Sequence, residues 1–132
     1  MTLTAACHCG STRITLPGPP AAAKTCNCSY CQRTGAVWGY YAPEDLAVTA
    51  TDDRVYSASG GTNQHHFCGT CGGDTHGFSP DWASKYNNDG TLKPGEAEGV
   101  PERQTAAVNL NMIDGLDLSE IPVTAVDGRN SW

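Results

Sequence analysis

The 132-residue sequence predicts a mostly-β domain. Three observations carry this. No interior segment sustains the 3.6-residue apolar period of an amphipathic helix. Short runs of β-branched and aromatic residues recur instead, bounded by turn residues. The chain also holds 15 Gly and 8 Pro, a usage that favours strands and turns over long helices. At this length residues 1–132 are most simply one domain, with a real but modest core.

The elements follow in order. Thr4 to Gly10 ends in Cys7-His8-Cys9-Gly10, where Gly10 lets the backbone turn so that both sulfurs face one side. Ser11 to Leu16 alternates as a short strand, and Pro17-Gly18-Pro19-Pro20 closes it. Lys24-Thr25 leads into Cys26-Asn27-Cys28-Ser29-Tyr30-Cys31. Ala36 to Ala42 is aromatic and strand-forming, and Pro43 to Leu46 reads as one helical turn with acids near its start. Leu46–Thr51 and Arg54–Ser57 are strands separated by Asp52-Asp53, and Ser59–Asn63 is a turn. Gln64–Phe67 is a strand that delivers the knuckle Cys68-Gly69-Thr70-Cys71-Gly72-Gly73, with Asp74–Phe78 as its return. Ser79–Gln104 is polar and rich in Asn, Gly, Asp, Pro and Glu. Its 26 residues exceed an ordinary connection, so it is a functional loop or a partly disordered segment. Thr105–Met112 alternates again, with Ala106, Val108, Leu110 and Met112 on one face and Asn109 and Asn111 on the other. Asp114-Gly115 turns the chain, Leu116, Leu118 and Ile121 pack on the core, and Pro122–Val126 is a last strand.

The formal charge is −6 and there is no basic run, which makes nucleic acid a poor partner, since phosphate contacts need clustered Lys and Arg. No stretch approaches the roughly 18 apolar residues of a membrane span. Met1 to Ala6 lacks the basic and apolar regions of a signal peptide. With an odd cysteine count, these features point to a reducing cytoplasm with thiols held by metal.

All seven cysteines fall in three clusters: Cys7/Cys9, Cys26/Cys28/Cys31 and Cys68/Cys71. Cysteines two or three apart rarely close a comfortable disulfide, whereas the same spacing suits two thiolates gripping one ion. Zn²⁺ takes four sulfur or nitrogen ligands as a tetrahedron, and seven thiols divide into four plus three. A four-thiolate site is closed and structural. A three-ligand site leaves a position open to water or substrate, unless a histidine such as His65, His66 or His76 completes it. Arg33 pairs with a substrate carboxylate or with the anionic zinc–thiolate centre, or is an exposed, salt-bridging surface charge. Trp38, Tyr40 and Tyr41 read as core more than as pocket lining, and His8 and His76 as surface or as neighbours of the ligands.

The order Cys7-x-Cys9-Gly10, Cys26-x-Cys28-Ser29-x-Cys31-Gln32-Arg33 and Phe67-Cys68-x-x-Cys71-Gly72 resembles the glutathione-dependent formaldehyde-activating enzyme family, to which centromere protein V also belongs. Ala107-Val108-Asn109-Leu110 looks like that family's late strand. The resemblance runs from about Leu3 to Gly128 and implies a β-tent of curved antiparallel sheets with zinc knuckles. It implies two zinc ions per chain, a structural one on Cys7, Cys9, Cys68 and Cys71 and a catalytic one on Cys26, Cys28 and Cys31. It further implies a carbon–sulfur lyase or synthase that takes a small glutathione-like thiol and formaldehyde or another aldehyde. The alternative is a non-catalytic, zinc-stabilised β-tent module that binds a protein partner. The polar insertion at 79–104 departs from the pattern and bears on substrate identity.

Overall fold

The computed structural model describes residues 2–132, so Met1 of the expected domain lies outside the described residues. Two sheets dominate. The smaller has order β1-β2-β5, from Leu3–Ala6, Thr12–Leu16 and Ala47–Ala50, all antiparallel. The larger has order β10-β3-β4-β9-β8-β7-β6. Its strands are β3 (Ala23–Cys26), β4 (Trp38–Tyr41), β6 (Asp53–Tyr56), β7 (Gln64–Cys68), β8 (Asp74–Pro80), β9 (Gln104–Asn109) and β10 (Val123–Val126).

The mostly-β expectation holds, with local corrections. β1 and β3 are strands that the sequence reading leaves unassigned. Both are four residues of Ala, Thr, Leu, Lys or Cys, too short and too weakly strand-forming to stand out. β10 runs parallel to β3, so the large sheet is mixed and not wholly antiparallel. The late alternation Thr105–Met112 breaks after Asn109, where Leu110–Met112 forms a 3-10 turn. The Asn109 side chain causes the break by accepting from the Asn111 N–H at 3.2 Å, which leaves the ladder for a local bond. β5 and β6 are each four residues, shorter than or shifted from Leu46–Thr51 and Arg54–Ser57, and Asp53 opens β6 instead of separating the strands.

The core lies between the sheets. Ala5, Ile14 and Leu16 of the small sheet meet Ala23, Val108 and Leu110 of the large one, closed by Ile113 and Ile121. Paired residues of a sheet share a face, so register assigns the sides. Ala23 pairs with Gly39, Gly39 with Val108, Val108 with His76, and His76 with His66. That row is the inner face. Offset by one residue, Lys24 and Cys26 of β3, with Trp38, Tyr40, Ala107, His65 and Tyr56, belong to the outer face.

The polar segment 79–104 has a closed neck. Arg103 grips Asp81 through Nε at 3.2 Å and Nη2 at 2.6 Å, and the Asp81 N–H donates to the Arg103 carbonyl at 2.7 Å. Inside it lie one 3-10 turn, Trp82–Ser84, and a bridge between Tyr86 and Leu92. It is therefore a loop with bonds of its own. No described helix is long and apolar enough to cross a membrane.

Candidate metal centre and thiol site

Cys7, Cys9, Cys68 and Cys71 come together between the sheets, with one sulfur from each within 4.8 Å of every other. β1 ends just before Cys7 and Cys9, and β7 ends on Cys68. Gly10 at φ 80° and Gly72 at φ 77° turn the chain straight after each pair, in a conformation that a side chain would strain. Cys7 and Cys9 sulfurs lie 3.7 Å apart, and Cys9 and Cys68 3.6 Å. A tetrahedral ion with Zn–S bonds of about 2.3 Å requires sulfurs about 3.8 Å apart, so these four fit zinc. The surroundings of Cys7 and Cys68 favour thiolate. The Thr12 N–H donates to Cys7 at 3.3 Å, Thr70 and Cys71 N–H groups to Cys68 at 3.4 and 3.5 Å, and the Ser11 hydroxyl lies 3.0 Å from Cys68. The Ser11 contact leads in pulling the Cys68 thiol down to about 6.

Cys26, Cys28 and Cys31 form a second cluster, on the other face of the large sheet. Cys26 ends β3. Cys28 caps α1 (Ser29–Thr34), which the sequence reading leaves without a helix, and its sulfur accepts the Cys31 N–H at 3.4 Å. The Cys28 N–H donates in turn to Cys26 at 3.4 Å. Burial raises the Cys28 thiol, but the Cys31 N–H bond and its neighbours outweigh that and leave it below an ordinary cysteine. Burial pushes Cys31 up to about 12, with the Trp38 side chain drawing it partly back. Burial thus disfavours a free thiolate at Cys31, and a bound cation would reverse that balance. Tyr40 is raised to about 12, first by burial and then by the charges of Cys31 and Cys26.

No fourth Cys, His, Asp or Glu joins this triplet among the described residues. The three histidines able to close it are engaged elsewhere. The His65 ring stacks on Tyr30 at 3.8 Å. His66 and His76 lie on the inner face, stacked on each other at 4.4 Å. His66 Nδ1 meets Asp53 at 2.7 Å, and His76 Nδ1 meets the Thr75 hydroxyl at 2.9 Å. The surface reading of His76 is thus wrong: at 1% exposure it is core, because register places it opposite Val108. Asp53, His66 and His76 form a third polar cluster, and His66 Nε2 is buried there without a partner. Its sequence signal was the mirror placement of His66 and His76 about the Cys68 hairpin.

Around the triplet the chain supplies walls. The Tyr30 hydroxyl donates to Asp74 at 2.9 Å, and Ser29, Tyr30, Arg33, Tyr56, Ala58 and His65 line a cleft of about 310 Å³. On the other side stands α2 (Gly128–Ser131), also absent from the sequence reading. A methyl group on Gly128 would lie 2.6 Å from Cys26 Sγ, so only glycine fits. Arg129 binds the Asn27 carbonyl at 3.1 Å and Gln32 Oε1 at 3.0 Å, fastening α2 to the cysteine loop. Trp132 donates to the Asn88 carbonyl at 3.1 Å, tying α2 to the tip of the polar segment.

A mostly-β fold with one four-thiol cluster and one separate three-thiol cluster defines a protein with two cysteine groups that could each hold a metal ion. The sequence profile of the glutathione-dependent formaldehyde-activating enzymes matches residues 2–96, and the chain belongs to that family. A crystal structure of a Rhodobacter sphaeroides protein, a structural genomics target, is similar to it, with TM-score 0.62 and 28% identity over 92% of this chain and all of the other. No curated protein matches the chain.

Proposed function

We propose that this protein is a zinc-dependent carbon–sulfur lyase or synthase that joins glutathione, or a similar thiol, to formaldehyde or another aldehyde. Cys7, Cys9, Cys68 and Cys71 hold the structural zinc, and Cys26, Cys28 and Cys31 the catalytic one. One observation carries the reading: the triplet is three thiols with no fourth protein ligand among the described residues. Three protein ligands leave a position for substrate, and four do not. Zinc held there by Cys26, Cys28 and Cys31 would supply the charge that keeps a substrate thiol deprotonated at neutral pH and would polarise a carbonyl.

The chain's own residues do the rest. The N–H bonds onto Cys26 and Cys28 fix two of the three sulfurs, and α1 fixes the third. In the reaction the substrate sulfur bonds to the aldehyde carbon, the C=O π pair becomes an oxyanion, and that oxygen takes the proton the thiol gave up. The reverse step breaks the same C–S bond. A membrane or nucleic acid plays no part, and the reading places the protein in a reducing cytoplasm.

The test is a calorimetric titration of zinc-loaded protein with glutathione, with NMR detection of the formaldehyde adduct. Glutathione binding that disappears in Cys28→Ser supports the reading. Equal binding by wild type and Cys28→Ser removes it.

A further inference from the structure

Asp53, His66 and His76 stand side by side on three neighbouring strands of the large sheet, β6, β7 and β8. His76 pairs with His66 directly, and Asp53 pairs with Cys68, two residues further along β7. Residues two apart on a strand share a face, so all three belong to the inner face. One nitrogen of each ring and one carboxylate oxygen lie within 4.8 Å of one another, and no thiol belongs to the group.

The hydrogen bonds fix where each ring carries its proton. A carboxylate has none to give, so the 2.7 Å contact is His66 Nδ1–H donating to Asp53 Oδ2. The Thr75 hydroxyl gives its one proton to the His66 carbonyl at 3.3 Å. At 2.9 Å it therefore accepts from His76 Nδ1–H. Both rings are thus protonated on Nδ1 and offer a bare lone pair on Nε2. His66 Nε2 is buried and meets no donor. An acceptor buried in this way is destabilising, and a cation would supply the missing partner.

The spacing of the rings suits that partner. Their centres lie 4.4 Å apart. A cation bonded to two imidazoles side by side, at about 2.0–2.1 Å each, holds the ring centres about 4.5–5 Å apart. A small turn of each ring brings both lone pairs to one point. Phe78 stands edge-on to both rings, at 5.3 and 5.5 Å, and closes the apolar side. His76 is 1% exposed, whereas the His66 and Asp53 side chains are 13% and 28% exposed. The way in is therefore from the β6 edge, where the Asp53 carboxylate attracts a cation.

We propose that His66 and His76 form a further metal site, for an exchangeable divalent transition cation bound through their Nε2 atoms. Asp53 and Thr75 hold the two rings in the ligating tautomer, as carboxylates and hydroxyls do behind metal-bound histidines. Imidazole suits zinc, nickel, copper and iron, but two neutral rings hold zinc less tightly than thiolates do. Zinc retained through purification therefore belongs to the cysteine clusters, and this site fills on added cation. A bound cation ties β7 to β8 and, through Asp53, to the edge strand β6. The proposal does not depend on what the cysteine triplet binds.

The experiment adds Co²⁺ to zinc-loaded protein and follows visible absorption, bound cobalt and melting temperature. Wild type takes up about one further equivalent and melts higher as cobalt is added. Its spectrum shows d–d bands without sulfur-to-cobalt charge transfer. His66→Gln and His76→Gln lose this uptake. Asp53→Asn, a change at an exposed residue, weakens it about tenfold. His65→Gln, next in the chain but on the outer face, takes up cobalt as wild type does. No further uptake by wild type overturns the proposal. Uptake marked by sulfur charge transfer does so too, because that cobalt is in the cysteine clusters. Undiminished uptake in Asp53→Asn and His76→Gln together also overturns it.

Discussion

His76 shows how register overrules residue type. Burial, and then the neighbouring His66, lower its pKa to about 4, with Asp53 opposing. An unfolded histidine titrates near 6.5, so between pH 6.5 and about 4 the unfolded chain binds a proton that the folded chain refuses. The neutral ring's contribution is therefore complete above pH 6.5 and is lost as pH falls through that window. The loss reaches about 3 kcal/mol by pH 4. Denaturant melts across this range should show a steeper fall for wild type than for His76→Gln. Thiolate protonation is common to both and cancels in the difference. Identical pH slopes would mean that His76 carries no such term. The cysteines, by contrast, were legible residue by residue, because chelation depends on local spacing that the sequence states outright. Burial of a lone histidine depends on which strand lies opposite, and no local spacing reports that.

The elements divide along the same line. β2, β4, β7 and β8 were legible because each alternates or is aromatic and ends at a turn. α1 was not, since its N-cap is a cysteine sulfur in place of the usual Ser, Thr, Asp or Asn. The parallel pairing of β10 with β3 joins residues about a hundred apart, which no local pattern encodes. α2 makes its own prediction. Gly128→Ala drives a methyl group to within 2.6 Å of Cys26 Sγ and 3.1 Å of the Trp132 ring. The helix should lift, and Trp132 emission should shift to the red while the fold stays cooperative. Unchanged emission would show that α2 does not rest on the cysteine loop. In the polar segment, residues 94–100 are all exposed while the neck is pinned by Asp81 and Arg103. Limited proteolysis should cut first near 94–100, and a first cut in β1–β8 would contradict that.

At the scale of the molecule the proposed function gives the two thiol clusters different physical jobs, and this gives the sharpest prediction. The four-thiol site joins the end of β1 to the end of β7, so it ties the small sheet to the large one across some sixty residues. A metal-binding free energy on the order of 10 kcal/mol, realised only when these ends meet, is folding free energy. That exceeds what a modest core leaves as net stability. The triplet closes within six residues and staples little chain, so losing its metal removes little constraint from the unfolded state. Cys9→Ser should therefore fail to fold or melt far below wild type. Cys28→Ser should keep a cooperative melt and about one zinc per chain, with thiol binding gone. Melting curves with parallel zinc analysis on both variants read this directly. Should Cys28→Ser unfold as readily as Cys9→Ser, the triplet is a second structural site and its open position has no catalytic meaning. Should both variants fold and still bind glutathione, the division of labour between the clusters is wrong.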